Sequence, residues 1–264
     1  MARHVRLVQF TDTHLFGDVA EDLRGVASLP ALRACIAHAR PAIEMADALL
    51  VTGDVVQDDP AGYAHLRQAL SPLARPVLCI PGNHDDVAQL RRELGRPPFV
   101  LDPHVDIEGW RIVLLDSVKP GAASGRLAPA ALAALEQSLA SAGDRHVMIC
   151  LHHQPVGMRS AWLDSVGLEN ADEFFAIVDR FPRVRAIVWG HVHQAWDGER
   201  DGVRLLSTPA TCAQFLPESD EFAVDTRPPA YRILDLAPDG TVATEVVWLD
   251  RFSNQDTDAS ADVA

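Results

Sequence analysis

Five short apolar runs in this sequence each end in residues that can bind a metal ion. Runs of this length, rich in aliphatic and β-branched residues, predict buried strands. The runs and the residues that follow them are 5–10 with Thr11-Asp12-Thr13-His14, 48–52 with Gly53-Asp54, 76–80 with Pro81-Gly82-Asn83-His84-Asp85, 146–151 with His152-His153, and 184–189 with Gly190-His191-Val192-His193. Because every run is followed by polar residues, we expect one site along one rim of a sheet.

The spacing of these residues indicates metal binding. Side chains two residues apart lie on the same face of a strand, so Asp12 and His14 can approach one ion, as can His191 and His193. A glycine precedes several of the candidate ligands, where the missing Cβ allows close approach of the backbone. Imidazole, carboxylate and amide oxygen form a mixed donor set that suits Fe, Mn, Co, Ni or Zn without a thiolate.

Each cluster also has an interpretation without a metal. Asp12-x-His14 and Gly53-Asp54 are compatible with simple turns, and residues 83–86 with a helix cap in which Asp85 or Asp86 is the N-cap. Histidines 191 and 193 are compatible with an exposed edge strand. These alternatives must hold independently of one another, and five of them in chain order favour a shared site.

The elements that must position these residues alternate between strands and helices. Helical patterns cover residues 29–40, 60–73, 128–140 and 171–181, and the pair Asn170 and Glu173 resembles a capping box. Residues 203–207, 231–236 and 244–249 predict further strands, with Pro238-Asp239-Gly240 closing a hairpin. This order predicts a layered α/β fold, and its strand-rich end favours a sheet sandwich over a single open sheet.

The composition and charge of the chain disfavour two classes of protein, those that span a membrane and those that mainly bind nucleic acid. With 264 residues, 48% hydrophobic and 23% charged, the chain has the composition of a globular protein. We expect one domain over residues 1–252 and a disordered acidic tail over residues 253–264. No uncharged run exceeds 13 residues, which predicts no membrane span. The net charge of −14 disfavours nucleic acid as the main partner.

The cysteines and the first residues predict a cytoplasmic protein. Cys35, Cys79, Cys150 and Cys212 are scattered without CxxC spacing, which fits a reducing compartment. Residues 1–10 lack the apolar segment of an export signal. No heptad or apolar stripe marks an interface, so a monomer and a homodimer both stay open. Residues 220–229, with charges, aromatics and a Pro-Pro pair, are interpreted as a loop near the entrance of the site.

The ordered clusters resemble the signature of calcineurin-like metallophosphoesterases. The matching blocks are Asp12-x-His14, Gly53-Asp54, Gly82-Asn83-His84-Asp85, His152 and Gly190-His191-x-His193, and they span about residues 6–215. The resemblance implies a four-layer αββα sandwich of two mixed β-sheets flanked by helices, with a dinuclear metal site at the strand ends.

The same resemblance implies a role for each matching residue. The ligands implied for the first metal are Asp12, His14, Asp54 and His193, and those for the second are Asp54, Asn83, His152 and His191, with Asp54 bridging. Asp54 and His84 would be catalytic, His84 as a histidine at the phosphate that binds no metal. Substrate would contact His14, Asp54, Asn83, His84 and His193. Neighbouring strand residues point apart, so only one of His152 and His153 should face the metals, and the match favours His152. We expect His153 to lie behind a ligand or at the rim of the site.

Iron and manganese are the metals that the resemblance suggests, with zinc or cobalt as alternatives. The mechanism it implies is attack on a phosphodiester by a hydroxide that bridges the two ions. His84 would stabilise the developing charge or protonate the leaving alkoxide. We expect Asp85 either to hold the ring of His84 or to cap the following helix.

Three further stretches narrow the substrate. Residues 12–16, 160–168 and 208–215 resemble bacterial class III 3′,5′-cyclic-nucleotide phosphodiesterases, the cyclic AMP enzymes especially. The resemblance implies hydrolysis of cyclic AMP to 5′-AMP, which lowers cyclic-nucleotide levels. Alternatives are a diesterase for glycerophosphodiesters or 2′,3′-cyclic nucleotides, a monoesterase, and a non-catalytic scaffold of the same fold. Trp162 either stacks on a purine or, as we expect, anchors its loop.

Overall fold

Two six-stranded sheets form the centre of the molecule. The computed structural model describes residues 3–250 and 252, so the predicted tail at residues 253–264 lies outside the described residues. The strands are β1 (Val5–Phe10), β2 (Asp22–Leu23), β3 (Val26–Ala27), β4 (Ala48–Thr52), β5 (Val77–Ile80), β6 (Phe99–Val100), β7 (His104–Ile107), β8 (Trp110–Leu114), β9 (His146–Cys150), β10 (Val184–Trp189), β11 (Trp196–Arg200), β12 (Val203–Ser207), β13 (Gln214–Phe215), β14 (Val224–Asp225), β15 (Ala230–Leu236) and β16 (Val242–Trp248).

Seven α-helices accompany the strands in the part of the chain that the structure describes. They are α1 (Ser28–His38), α2 (Arg40–Glu44), α3 (Gly62–Leu70), α4 (Val87–Leu94), α5 (Pro129–Ala140), α6 (Ala161–Asp164) and α7 (Ala171–Val178), and a 3₁₀ turn spans Ser71–Leu73. None of the helices in the described part of the chain has both the length and the apolar composition needed to cross a bilayer.

Both large sheets are mixed. The first has the strand order β16-β15-β1-β4-β5-β6, in which β1, β4, β5 and β6 run parallel. The second has the order β11-β12-β10-β9-β8-β7, in which β12, β10, β9 and β8 run parallel. Two short hairpins, β2–β3 and β13–β14, lie outside these sheets. Because neighbouring parallel strands end at the same edge, the residues after β1, β4 and β5 meet, as do those after β9 and β10.

Alternate residues of the strands enter different hydrophobic layers. In β1, Leu7 packs between the two sheets, whereas Val8 and Phe10 face the layer that contains α1 to α4. In β10, Val188 packs between the sheets and Trp189 faces the layer of α5 and α7. Both faces of each sheet are therefore covered, which explains the nearly continuous apolar sequence of the central strands. The four-layer αββα arrangement is confirmed.

Most predicted elements are present, with three corrections. Asn170 does not form a capping box: its side-chain amide bonds the backbone of Leu127, and α7 ends at Val178. The predicted helix over residues 29–40 is α1 followed by α2, which begins with Pro41 in its first turn, where a proline is tolerated. The helix expected from Pro60 begins at Gly62 and has no side-chain cap.

A buried arginine connects the two sheets. Arg232 on β15 is 1% exposed and crosses to the second sheet, where Nη2 donates to Oδ1 of Asp197 at 2.7 Å and to the carbonyl of Ser207 at 2.7 Å. Its Nε donates to Oγ1 of Thr208 at 3.1 Å. The guanidinium group thereby satisfies polar groups of both sheets inside the sandwich.

Candidate active site

The strand ends bring the predicted site residues together. One carboxylate or imidazole atom of each residue in four overlapping groups lies within 4.8 Å of the others in its group. The groups are Asp12, His14 and His193; Asp12, Asp54 and His152; His14, Asp54 and His84; and His152, His153 and His191. The structure therefore assembles one continuous cluster from loops that follow strands of both sheets.

Two imidazole nitrogens face each other in the first group. Nε2 of His14 lies 3.0 Å from Nε2 of His193. The Nδ1 atoms of these rings bond oxygen acceptors, at 2.7 Å to Oε1 of Gln57 and at 2.7 Å to the carbonyl of Ala213. In the neutral tautomers that donate through Nδ1, both Nε2 atoms carry lone pairs. Two lone pairs at this distance repel, and a cation between them removes that repulsion.

Asp54 lies between the two halves of the cluster. Its Oδ2 is 3.7 Å from Nε2 of His14 and 3.2 Å from Nε2 of His152. Its Oδ1 accepts the backbone N–H of His84 at 2.9 Å. Asp54 is 2% exposed. A carboxylate in this position can contact ions on both sides, which fits the bridging role that the resemblance implies.

The second half of the cluster contains buried polar atoms without partners. Within residues 3–250 and 252, Oδ1 of Asn83 and the Nε2 atoms of His152 and His191 make no hydrogen bond. Leaving one such buried group unpaired costs about 1–3 kcal/mol. A bound metal ion would satisfy Oδ1 of Asn83 and Nε2 of His152, so the donor set fits a metal centre.

The charges in the cluster also suit metal binding. Burial lowers the pKa of His14 to about 4 and that of His191 to about 3, so both rings are neutral at neutral pH. Burial opposes ionisation of Asp54, but His152 and His14 outweigh it and hold the pKa of Asp54 well below its usual value. Burial also disfavours the charged form of His152, yet Asp54 raises the pKa of His152 to about 9.

Five of the candidate ligands have a left-handed backbone. The φ angles are 52° at Asp12, 41° at His14, 47° at Asp54, 67° at His191 and 50° at His193. Asp and His are among the residues most often found there, at a cost of about 1–3 kcal/mol each. These residues follow the strands in sharp turns. Their convergence is as predicted, but it results from the turns and not from strand alternation.

Two glycines allow the loops to approach this closely. Gly53 has a φ of 96°, and a Cβ at this position would overlap Nδ1 of His152. A Cβ at Gly82 would overlap both the backbone nitrogen and the side chain of Asp54. The prediction that a missing Cβ serves the site is confirmed at both positions, because any larger residue would displace a candidate ligand.

His84 stands at the open side of the cluster. Its ring packs edge-on against that of His14, with centroids 5.2 Å apart. Its Nδ1 lies 2.9 Å from Oδ2 of Asp58 and 3.0 Å from Nε2 of Gln57. The side chain is 32% exposed, more than His14 or His152 at 3% and 0%. Its exposure suits a residue that contacts substrate.

Asp85 does not hold the ring of His84, and that alternative is wrong. Its carboxylate accepts the backbone N–H groups of Gly82 at 2.8 Å and Val55 at 3.1 Å. It thereby ties the loop after β5 to the loop after β4. The N-cap of α4 is Asp86, whose side chain accepts from two N–H groups of the first turn, so Asp85 does not cap the helix either and the other N-cap candidate is the correct one.

The expectation that only one of the two adjacent histidines can face the site is wrong, whereas the place of His153 behind a ligand stays a prediction. The chain bends after β9, so strand alternation does not apply to this pair. His153 is fully buried, and its ring centroid lies 4.7 Å from that of His191 and 4.9 Å from that of His152. Both adjacent histidines therefore belong to the cluster.

An aromatic group flanks the first half of the site. Phe215 stacks flat on His193, with centroids 4.0 Å apart and planes 6° apart. Trp162 and Phe222 pack edge-on against Phe215. Phe222 therefore brings residues 220–229 beside the site, as predicted, although this segment includes the short strand β14 and is not all loop. Trp162 packs against both Phe215 and Phe222.

Four residues of the site were missed in the sequence. They are Gln57, Asp58, Ser117 and Phe215, which contact His14, His84, His153 and His193 respectively. Gln57 and Asp58 follow Asp54 in the same loop, and this proximity is the one local signal for them. Phe215 lies in the stretch 208–215 that the resemblance singled out, but its contact with His193 was not predicted. Ser117 carries no such signal, because only the tertiary fold brings it to His153.

Comparison with known proteins is consistent with this geometry. A family model described as calcineurin-like phosphoesterase matches residues 5–195. The chain is 38% identical over 244 residues to the 3′,5′-cyclic adenosine monophosphate phosphodiesterase CpdA of Vibrio vulnificus, covering 92% of this chain and 89% of that protein. It is 37% identical over 247 residues to the protein of the same name from Pseudomonas aeruginosa, covering 93% and 90%.

The fold is shared with a solved structure. A dimetal phosphatase from Danio rerio superposes with a TM-score of 0.62 at 15% identity, covering 92% of this chain and 98% of that one. The family implies a dinuclear site for divalent metal ions, and the buried donors described above fit one. The match of the family model over most of the chain, together with these relatives, shows that the chain belongs to the calcineurin-like phosphoesterase family.

Proposed function

We propose that this protein hydrolyses the 3′,5′-phosphodiester of cyclic AMP to give 5′-AMP. The observation that carries the choice of substrate is the similarity to the CpdA phosphodiesterases, which extends over more than nine tenths of the chain. Outside the metal-binding blocks, Phe215 stacks on His193, and Trp162 packs against Phe215. The role of the enzyme would be to lower the level of cyclic AMP.

The proposed ligand set divides the cluster into two metal positions that share Asp54. One ion would be held by Asp12, His14, Asp54 and His193, and the other by Asp54, Asn83, His152 and His191. Two divalent ions bound there would acidify a water molecule and neutralise the phosphoryl oxygens. We propose iron or manganese for both positions, with zinc or cobalt as alternatives that the same nitrogen and oxygen donors accept.

The remaining residues position the diester and handle the proton. We propose that substrate contacts His14, Asp54, Asn83, His84 and His193. Water adds to phosphorus, the bond from phosphorus to the 3′ oxygen breaks, and the 3′ oxygen takes up a proton. His84 is the proposed donor of this proton, because it is the exposed imidazole of the cluster and Asp58 holds its Nδ1.

Other residues support proposals about the domain organisation, the cellular compartment and the type of substrate. We propose that residues 1–252 act as one domain, because strands of both sheets supply ligands to a single site. Four cysteines, all buried and unpaired, favour the reducing cytoplasm. The net charge of −14 favours a small substrate held by metal ions over a nucleic acid held by basic side chains.

The proposal is tested by metal reconstitution. Metal-depleted protein is loaded in turn with Fe(II), Mn(II) and Zn(II), and each form is given 3′,5′-cyclic AMP or 2′,3′-cyclic AMP. Chromatography should show 5′-AMP with the 3′,5′ isomer preferred, and the Asp54→Asn variant should be inactive. Turnover of the 2′,3′ isomer or of a glycerophosphodiester alone would retain the enzyme class and overturn the substrate. Protein that binds no metal would support the scaffold instead.

A further inference from the structure

His153 is held firmly inside the cluster although the proposed ligand set does not use it. Its ring is fully buried, and Nδ1 lies 2.8 Å from Oγ of Ser117. On the other side the ring packs against Gly125, where a Cβ would overlap it. Its Nε2 is buried and has no hydrogen-bond partner in the described part of the chain. Burying a ring nitrogen without a hydrogen-bond partner is costly.

Three of the four proposed histidine ligands share one arrangement. Nδ1 of His14 bonds Oε1 of Gln57 at 2.7 Å, Nδ1 of His152 bonds the carbonyl of Thr52 at 2.8 Å, and Nδ1 of His193 bonds the carbonyl of Ala213 at 2.7 Å. An oxygen acceptor fixes the proton on Nδ1 and directs the lone pair of Nε2 to the metal. Partners of this kind orient metal-binding histidines in proteins generally.

His191 departs from this arrangement. Its backbone N–H donates to Asp12 at 2.9 Å, but neither ring nitrogen bonds an oxygen acceptor among the described residues. Nε2 is the nitrogen that is buried without a partner. The ring of His191 lies beside that of His153, and each ring has a nitrogen within 4.8 Å of the other. His153 is therefore the side chain next to His191 that could replace the oxygen acceptor of the other ligands.

We propose that His153 positions His191 for the second metal. With Nδ1 of His153 donating to Oγ of Ser117, its Nε2 carries a lone pair. The structure shows no hydrogen bond between these two described rings, and the inference is that this lone pair accepts the proton on Nε2 of His191 when the second site is loaded. That bond leaves Nδ1 of His191 as the nitrogen that binds the ion. The inference rests on the proposed ligand role of His191 and adds the residue that sets its tautomer.

The test measures metal binding and not only turnover. Purified wild-type protein and the variants His153→Ala, His153→Gln and Ser117→Ala are depleted of metal and titrated with Co(II), with affinity and the visible spectrum recorded at each site. In His153→Ala we expect the affinity of the second site to fall about 10- to 100-fold while the first site is unchanged. Ser117→Ala should show a smaller loss in the same direction.

His153→Gln distinguishes positioning from direct ligation. The glutamine side chain offers an oxygen acceptor of the kind that His14 uses, so it should recover part of the affinity and the wild-type spectrum. His104→Ala is the control, because His104 lies on β7 and bonds Ser138. Unchanged affinity and spectrum in His153→Ala would overturn the inference, as would a Gln variant as impaired as Ala with an altered spectrum.

The inference and the proposed function fail in different ways. If wild-type protein does not bind two ions, the proposed ligand set is wrong and the role of His153 falls with it. If wild-type protein binds two ions and the variants behave like it, only the role of His153 is overturned. If His153→Ala does not fold, the metal affinities of His153→Gln and Ser117→Ala test the inference.

Discussion

Oδ2 of Asp58 lies 2.9 Å from Nδ1 of His84, and this contact fixes the ring of the one exposed histidine in the cluster. Gln57, the preceding residue, contacts the same nitrogen and also bonds Nδ1 of His14. A single loop after β4 therefore orients a proposed metal ligand and the proposed proton donor together.

From this arrangement we expect His84→Ala to separate binding from turnover. The variant should keep two metal ions per chain, because the proposed ligands are intact, while kcat on cyclic AMP falls about 10²- to 10⁴-fold. Metal analysis beside steady-state kinetics measures both. Asp58→Ala should lose less activity, since the ring remains but is no longer held. A His84→Ala protein that has lost metal would contradict the assignment.

Metal uptake should release a proton. In the metal-free protein Asp54 raises the pKa of His152 to about 9, so this ring is protonated at pH 7 and must lose its proton to bind a metal. His14 and His191, with pKa values of about 4 and 3, are already neutral and release none. The apparent affinity should therefore rise about tenfold per pH unit from pH 7 towards 9 and then level off.

Calorimetry in two buffers of different ionisation enthalpy measures the proton directly. At pH 7 we expect about one proton per chain from His152 on loading both sites, in addition to the proton lost by the water that the two ions acidify. The same titration at pH 10 should release none from His152. A heat of binding that does not depend on the buffer at pH 7 would show that His152 is neutral before the metal arrives.

The sequence predicts the strands and the order of the candidate ligands along the chain, because each strand is short and apolar and is followed by turn residues. Val5–Phe10, Ala48–Thr52 and Val184–Trp189 have the predicted bounds. The family resemblance added the four-layer fold. What local pattern did not reveal is how the ligands converge: five of them depend on left-handed turns, which no alternation rule describes.

The contacts around the ligands were less predictable. The position of Asp85 next to His84 in the sequence suggests a contact between their side chains. The Asp85 carboxylate instead accepts backbone N–H groups from the loops after β4 and β5. Strand alternation does not separate His152 from His153, because the strand ends at Cys150. In both places, position next to another residue in the sequence does not predict the contact, because the chain no longer has strand geometry there.

Removing metal should destabilise the fold. An ion present at about 100 times its dissociation constant stabilises the native state by about 2.7 kcal/mol per site. For a chain of this size each kcal/mol shifts Tm by about 2–4 °C, so a chelator should lower Tm by at least about 5 °C. Differential scanning fluorimetry with and without chelator measures this. The variant Asp54→Asn, which lacks the proposed bridging ligand, should show a much smaller difference.

We expect Arg232 to contribute much more to the free energy of unfolding than the charged residues near it on the surface. It is 1% exposed and bonds Asp197 and the carbonyl of Ser207 on the opposite sheet. In Arg232→Ala the Ser207 carbonyl loses this donor inside the sandwich and a cavity opens. Removing one partner of a buried ion pair costs about 3–5 kcal/mol, and we expect about 3 because Asp197 is half exposed.

Urea denaturation of Arg232→Ala and Arg204→Ala provides a matched comparison. Arg204 also pairs with Asp197, but both side chains are more than a third exposed, so its loss should cost less than about 1 kcal/mol. The two variants remove the same charge next to the same carboxylate and differ in burial. Equal unfolding midpoints would mean that the link between the sheets contributes no more to stability than a surface ion pair.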